Sequence, residues 1–205
     1  MINIIDKHDL LKKITNTDTV ILELGCGSRK RDPKAIGIDA LDYPSVDIVG
    51  DIYEVLRHFP TGSVNHVSSW HFIEHVNDIN ALMSELSRIL KPKGLVEFVA
   101  PHFSNPYYYS DPTHRSYYGL YTFCYLASDS SFRRKVPSYL RVFPFSLERV
   151  DLRFKSERPF YFRYALKSLI GNMFNSCIYM KELYEENFCY IFPCYEISYR
   201  LRRND

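Results

Sequence analysis

Three acidic residues stand where short apolar runs give out: Glu23 after Val20-Ile-Leu, Asp39 after Ile36-Gly-Ile, and Asp51 after Val46-Asp-Ile-Val-Gly. Carboxylates accept from ribose hydroxyls and from ammonium groups, and they repel phosphate. A rim carrying three of them suits a ligand with cationic groups and a ribose. Gly25 and Gly27 follow Glu23 with Cys26 between them, and glycines there let the backbone turn sharply and approach a ligand closely. A dinucleotide fingerprint needs a third glycine three positions on, where this chain has Lys30. The segment Ser28-Arg-Lys-Arg-Asp-Pro-Lys34 is also too short, and too broken by Pro33, for an ordinary crossover helix.

A second set of groups is basic or nucleophilic. His71, His75, His102, Asp111 and His114 fall in the second and third quarters of the chain. Any of the imidazoles is a candidate to take a proton from a reacting hydroxyl or amine. In Asp111-Pro-Thr-His114 the acid is close enough in sequence to orient the imidazole and raise its basicity. His114 is therefore the first candidate base, ahead of His102 and His71; the alternative is that Asp111 and His114 only staple a loop. His71-Phe-Ile-Glu-His75 spells the inverted zinc-peptidase pattern. That pattern needs its ligands on one helix face, and this copy starts at a strand end, so no metal is expected.

The elements that must position these groups follow from periodicity. Val20–Leu24 is a continuous apolar run apart from Glu23, as in a strand buried on both faces of a parallel sheet. Ile36–Asp39, Val46–Ile52, Val64–Trp70 and Leu95–Ala100 read as four more strands, and Ser146–Phe154 and Tyr195–Leu201 as a sixth and a last. Helices are predicted over Tyr53–Phe59, from Asn77 or Asp78 to Leu90, over Tyr161–Met173 and over Ile178–Tyr190. Ile4–Ile14 has a loose helical pattern. Prolines, serines and aromatics fill Pro101–Pro144, a stretch long enough to be a functional cap.

Glu23-Leu-Gly-Cys-Gly, Asp39, Gly50-Asp51-Ile52, Trp70-His-Phe-Ile-Glu-His75-Val and Arg88-Ile-Leu-Lys-Pro-Lys-Gly94 resemble, in order and spacing, the motifs of small class I S-adenosylmethionine-dependent methyltransferases of the type 11 kind. The resemblance runs from about Thr19 to Pro101. It implies an α/β fold: a doubly wound, Rossmann-like seven-stranded mixed sheet, with an antiparallel last strand between the fifth and sixth and a cap after the fifth. It further implies S-adenosylmethionine as cofactor and S-adenosylhomocysteine as product. Glu23 would then lie near the methionine amino group, Gly25, Cys26 and Gly27 under the methionine, Asp39 and Ala40 at the ribose, Asp51 and Ile52 at the adenine, and Ser69 and Trp70 beside them. Lys93, where a glycine is commoner, and the short segment after the first strand depart from the pattern.

At 205 residues the chain reads as one domain: a helical segment 1–18, a cofactor-binding half 19–100, a substrate cap 101–145 and a C-terminal part 146–205. Five cysteines without a Cys-x-x-Cys pair point to a reducing, cytoplasmic setting. No apolar run approaches the ~20 residues of a membrane span. A net charge of +2 gives no case for nucleic acid. Seventeen tyrosines include Tyr107, Tyr109 and Tyr117, which with Arg133 are candidates to hold the acceptor; the plainer alternative is that they pack the cap. The expected function is methylation of oxygen or nitrogen on a small molecule, with sugar, nucleotide-linked and phosphorylated metabolites all compatible. An RNA or protein methyltransferase and an inactive cofactor-binding subunit are the competing readings.

Overall fold

The structure, a computed structural model, describes residues 4–14, 18–137, 140–156 and 159–204. Its elements in chain order are β1 (Ile5–Asp6), α1 (Leu10–Lys13), β2 (Ile21–Leu24), β3 (Ile36–Asp39), β4 (Ile48–Val49), α2 (Ile52–Arg57), β5 (Val64–Trp70), α3 (Ile79–Ile89), β6 (Leu90–Pro101), β7 (Ala127–Ser130), β8 (Phe143–Arg153), α4 (Tyr161–Phe174), α5 (Ile178–Leu183) and β9 (Glu196–Arg203). The strands form one sheet in the order β1-β4-β3-β2-β5-β6-β9-β8-β7. Strands β4, β3, β2, β5 and β6 run parallel, and β9 inserts antiparallel between β6 and β8.

Register decides which side chains share a face. Leu22, Val67, Val96, Leu201 and Leu147 align in one row and Leu24, Ser69, Phe98, Tyr199 and Val150 in the next. All ten are buried. Against this face α3 sets Leu82, Met83, Leu86 and Ile89 at a helical spacing of three and four, and α2 sets Val55 and Leu56. Each such side chain contributes roughly 1.5–3 kcal/mol by leaving water. Asp78 caps α3 by accepting from Ala81 N, and Asp51 caps α2 by accepting from Tyr53 N and Glu54 N.

On the opposite face the row between them is polar: Glu23, Ser68, Glu97, Arg200 and Arg149 align across the same strands. Among the described residues no helix connects β2 to β3 or β3 to β4, so little apolar surface is offered to this face. Glu97 instead accepts from Arg200 at 2.6 Å and faces His66 at 3.1 Å. A cavity of about 340 Å³ opens on it beside Trp70, Arg149 and Arg200.

Several expectations are corrected. Ile4–Ile14 is mostly not helical: Ile5–Asp6 pairs antiparallel with β4, and the helix is the single turn Leu10–Lys13. Parts of the expected 1–18 segment lie outside the described residues. The third predicted strand shrinks to Ile48–Val49, because Asp51 already caps α2 and ends the extended run. The sheet has nine strands and not seven, because β1 and β7 extend its two edges. The cap is not wholly irregular, since β7 lies within it and pairs parallel with β8. The second C-terminal helix ends at Leu183 and continues as a wider turn over Tyr184–Phe188.

Candidate active site

The carboxyl ends of β2, β3 and β4 converge, but the acids that follow them do different work. Asp39 accepts from Gly27 N at 2.8 Å and from Leu41 N at 2.9 Å, one oxygen for each, so lone pairs remain on a half-buried carboxyl group. Asp51 caps α2 with Oδ1. These two acids line a cavity of about 140 Å³ with Ile38, Ala40, Gly50, Ile52, Tyr53, Phe72, His75, Val76 and Asn77. Its walls combine apolar side chains with two carboxyl groups, the mixture expected of a small-molecule pocket.

Glu23 does not reach that rim. It is 2% exposed and accepts from Arg31 N at 2.9 Å and Asp32 N at 3.2 Å. The reason is local: with no helix after β2, the N–H groups of Arg31 and Asp32 need another acceptor, and Glu23 supplies it. Lys30 ties the same loop down, donating to Asp47 Oδ2 at 2.7 Å and to Ala35 O at 2.9 Å. The Arg31 guanidinium lies 5.1 Å above the Trp70 ring.

The two glycines are held in the left-handed region at φ 64° and 58°. A Cβ on Gly25 would come within 2.4 Å of Phe72 Cδ2, whereas one on Gly27 would meet nothing within 4 Å. Gly25 is thus required by packing as well as by φ, and Gly27 borders open space beside Asp39. Cys26 is buried, and burial with Asp39 and Glu23 nearby pushes its thiol up to about 12. That is the setting of a packing residue and not of a nucleophile.

Ser69 and Trp70 do not line the cavity between Asp39 and Asp51. Ser69 points into the apolar core, fully buried, and Trp70 lines the larger cavity on the polar face. The alternation of β5 explains both, since neighbouring residues of a strand face opposite ways.

Beyond the ends of β5 and β6 the histidines separate by environment. His71 sits at φ 52°, a strained value for a non-glycine residue. Its Nε2 is 2.8 Å from Glu196 Oε1 and its Nδ1 3.4 Å from Glu74 Oε1. Those two acids, Glu196 foremost, raise the imidazole to about 9, so it is a cation at neutral pH. Glu196 itself is buried; although burial opposes it, His71 and Lys155 hold its carboxyl down at about 2. His102 is fully buried with Nδ1 on Ser104 Oγ at 2.8 Å and Nε2 on Glu185 Oε2 at 3.2 Å. His114 Nδ1 bonds to Tyr108 O at 2.9 Å, and its Nε2 is 3.7 Å from Asp111 Oδ2, beyond hydrogen-bond reach. The expected Asp111–His114 bond is therefore replaced by a backbone one. Asp111 accepts instead from Thr113, whose Oγ1 also meets His75 Nδ1 at 3.0 Å. The rings of His75 and His114 are 4.9 Å apart, with the buried Glu74 beside them.

The expected acceptor residues do not converge. Tyr107 lines a cleft of about 80 Å³ with Lys155, Ser156, Phe160, Arg163, Lys167 and Tyr195. Tyr109 and Tyr117 are exposed and pack their rings around Tyr108. Arg133 borders a different cavity with Tyr121 and Glu182. Sequence reasoning missed Glu196, Lys155 and Phe72. Glu196 had a signal, an acid at the start of an alternating strand; the other two owe their place to tertiary contacts.

Five adjacent parallel strands with the last strand of the chain inserted antiparallel between the sixth and eighth, and an acid-lined cavity at their carboxyl ends, match the design of class I S-adenosylmethionine-dependent methyltransferases. The family model described as a methyltransferase domain matches residues 3–135, and the chain belongs to that family, with S-adenosylmethionine as cofactor. Among solved structures, a SAM-dependent methyltransferase from Archaeoglobus fulgidus is similar at 15% identity and TM-score 0.57, over 95% of this chain and 93% of that one. An S-adenosylmethionine-dependent methyltransferase from Mesorhizobium loti is similar at 15% identity and TM-score 0.52, over 97% and 98%. Phosphoethanolamine N-methyltransferase 2 of Haemonchus contortus, solved with S-adenosyl-L-methionine, gives 13% and 0.51, over 96% of this chain and 52% of that one. No curated protein matches the chain. At these identities the likenesses show the fold.

Proposed function

We propose that the chain methylates oxygen or nitrogen of a small anionic acceptor held in the cleft beneath Tyr107 and Tyr195. The observation that carries this reading is the lining of that cleft. Lys155, Arg163 and Lys167 supply three cations, Tyr107, Tyr195 and Phe160 supply rings, and there is no acid among the described lining residues. Such a site suits a phosphate or carboxylate attached to a ring or sugar. Lys155 also links the cleft to the end of β5, since it lies 2.5 Å from Glu196 and Glu196 holds His71.

When bound, the cofactor supplies a methyl already activated on a sulfonium, and the leaving group is a neutral thioether. The protein's tasks are binding, alignment and removal of one proton from the acceptor. Asp39, Ala40, Asp51 and Ile52 would hold the adenosine, and Gly25, Cys26 and Gly27 would border the methionine. Of the candidate bases, His102 has both ring nitrogens engaged inside the protein and serves to hold the cap. His71, a cation at neutral pH, donates hydrogen bonds and does not accept protons. The remaining group is His114 with His75, Glu74 and Asp111, and we assign proton removal there.

Turnover with S-adenosylmethionine and a panel of neutral, phosphorylated and carboxylated acceptors tests the reading. Methyl transfer confined to anionic acceptors, with KM raised in Lys155→Met and Lys167→Met, is expected; preference for neutral acceptors would overturn it.

A further inference from the structure

Glu74, His75 and His114 present one ligand atom each within 4.8 Å of one another. The carboxyl group of Glu74 is fully buried, and neither oxygen has a hydrogen-bond partner; the His71 ring stands beside it, with Nδ1 3.4 Å from Oε1. His71 thus balances the charge at Oε1 from a long distance, and Oε2 has nothing to accept from, which is costly in a buried carboxyl group unless something else satisfies it.

The two imidazoles are fixed in the tautomer that a ligand needs. His114 Nδ1 faces the Tyr108 carbonyl at 2.9 Å and must donate to it, so the lone pair stays on Nε2. Thr113 has one hydroxyl hydrogen, given to Asp111 Oδ1 at 2.6 Å. Its oxygen therefore accepts from His75 Nδ1 at 3.0 Å, and the lone pair of His75 also stays on Nε2. Hydrogen bonds from the distal nitrogen to a carbonyl, or through a hydroxyl to a carboxylate, are the supporting shell of metal-bound histidines.

We propose that Glu74, His75 and His114 bind a divalent transition ion of the zinc class, leaving a coordination position open for the oxygen or nitrogen of the acceptor. Two imidazoles and one carboxylate form the donor set of open zinc and related sites. Ligands around a tetrahedral ion at ~2.1 Å lie about 3.4 Å apart, so side-chain shifts of about an ångström close the present cluster. Asp111, whose Oδ2 is 3.7 Å from His114 Nε2, borders the ion without being required as a ligand. The site lies next to the nucleoside cavity, since His75 lines both. An ion here would hold the acceptor's hydroxyl or amine and ease loss of its proton; with the lone pairs of Glu74, His75 and His114 on the ion, Asp111 is the member of the group left to take that proton. This role rests on the function proposed above; the binding of the ion does not.

The test begins with chelator-treated full-length chain, titrated separately with Co²⁺ and Zn²⁺. One equivalent of Co²⁺ with visible ligand-field absorption is expected, displaced by Zn²⁺. Glu74→Gln and His114→Gln should each weaken binding by at least ~100-fold, while Asp39→Asn, which lies at the ribose end, should leave it unchanged. Circular dichroism confirms folding, and the His114 variant, nearer the surface, serves if Glu74→Gln does not fold. Binding of less than about half an equivalent, or unaltered binding in the two ligand variants, overturns the proposal. Metal uptake without transfer to any anionic acceptor would remove the proposed function and leave the metal site. Transfer that persists through chelation in a chain that takes up no metal would do the reverse.

Discussion

Replacing Lys30 by methionine tests the idea that a single side chain does the anchoring that a crossover helix does elsewhere. Lys30 and Asp47 are 2.7 Å apart with only 18% and 17% of their side chains exposed. Asp47 Oδ2 also accepts from Gly37 N at 2.8 Å, so removing Lys30 leaves a mostly buried carboxyl group with a reduced set of donors. Breaking a buried pair from one side costs about 3–5 kcal/mol. The remaining bond from Gly37 and the partial exposure bring this down to roughly 2–3 kcal/mol. For a chain of this length that is a fall in Tm of about 4–12 °C. Urea unfolding of Lys30→Met, Asp47→Asn and the double variant gives the coupling directly, with about 1–2 kcal/mol expected. Cofactor calorimetry on Lys30→Met should also show weaker binding, because the same loop carries the backbone bonded to Glu23. A coupling below about 0.5 kcal/mol, together with unchanged cofactor affinity, would refute the claim that this pair holds the loop.

Four further perturbations probe the cofactor rim and the buried ion pair. Asp39→Asn should weaken S-adenosylmethionine binding by about 1.5–3 kcal/mol, the worth of charge-assisted hydrogen bonds, as read by calorimetry; unchanged affinity would move the ribose elsewhere. Gly25→Ala sets a Cβ 2.4 Å from Phe72 at an unfavourable φ. Each kcal/mol lost lowers Tm by about 2–4 °C in a chain of this size, so a variant melting within about 1 °C of the parent would contradict that contact. In chelated protein, Glu196→Gln should move the His71 titration down from about 9. His71's contribution to stability is full below 6.5 and lost as pH rises through about 9. Glu196's is full above 4.5 and lost as pH falls through about 2. The Tm difference between parent and Glu196→Gln should therefore peak between pH 4.5 and 6.5, and a flat difference would discard the pair. Cys26, pushed up to about 12, should resist iodoacetamide in mildly alkaline buffer while the protein is folded; rapid labelling would show that the thiol is open.

The strand-ending acids were legible because glycine, β-branched residues and an acid in that order leave few alternatives for a buried parallel strand. Asp39 and Asp51 came to border one cavity, as that pattern implies. Glu23 carried the same local signal and went inward, since its role depends on a helix that the next seven residues cannot form. Ser69 and Trp70 show a different limit: the strand lies where its residues predict, yet the face each takes depends on neighbours in the sheet. Among the histidines, spacing identified the set that the fold gathers beyond the strand ends but not their partners. His71 is set by Glu196, more than a hundred residues later, and His114 by a carbonyl that no motif encodes.

Strand β9 follows every other described element in sequence yet sits in the interior of the sheet, between β6 and β8. During synthesis, then, β6 must wait with one bare edge and β8 with no route to the rest of the sheet until Glu196–Arg203 has left the ribosome. Until that late arrival the nascent chain exposes pairing edges of the kind that invite association with other chains.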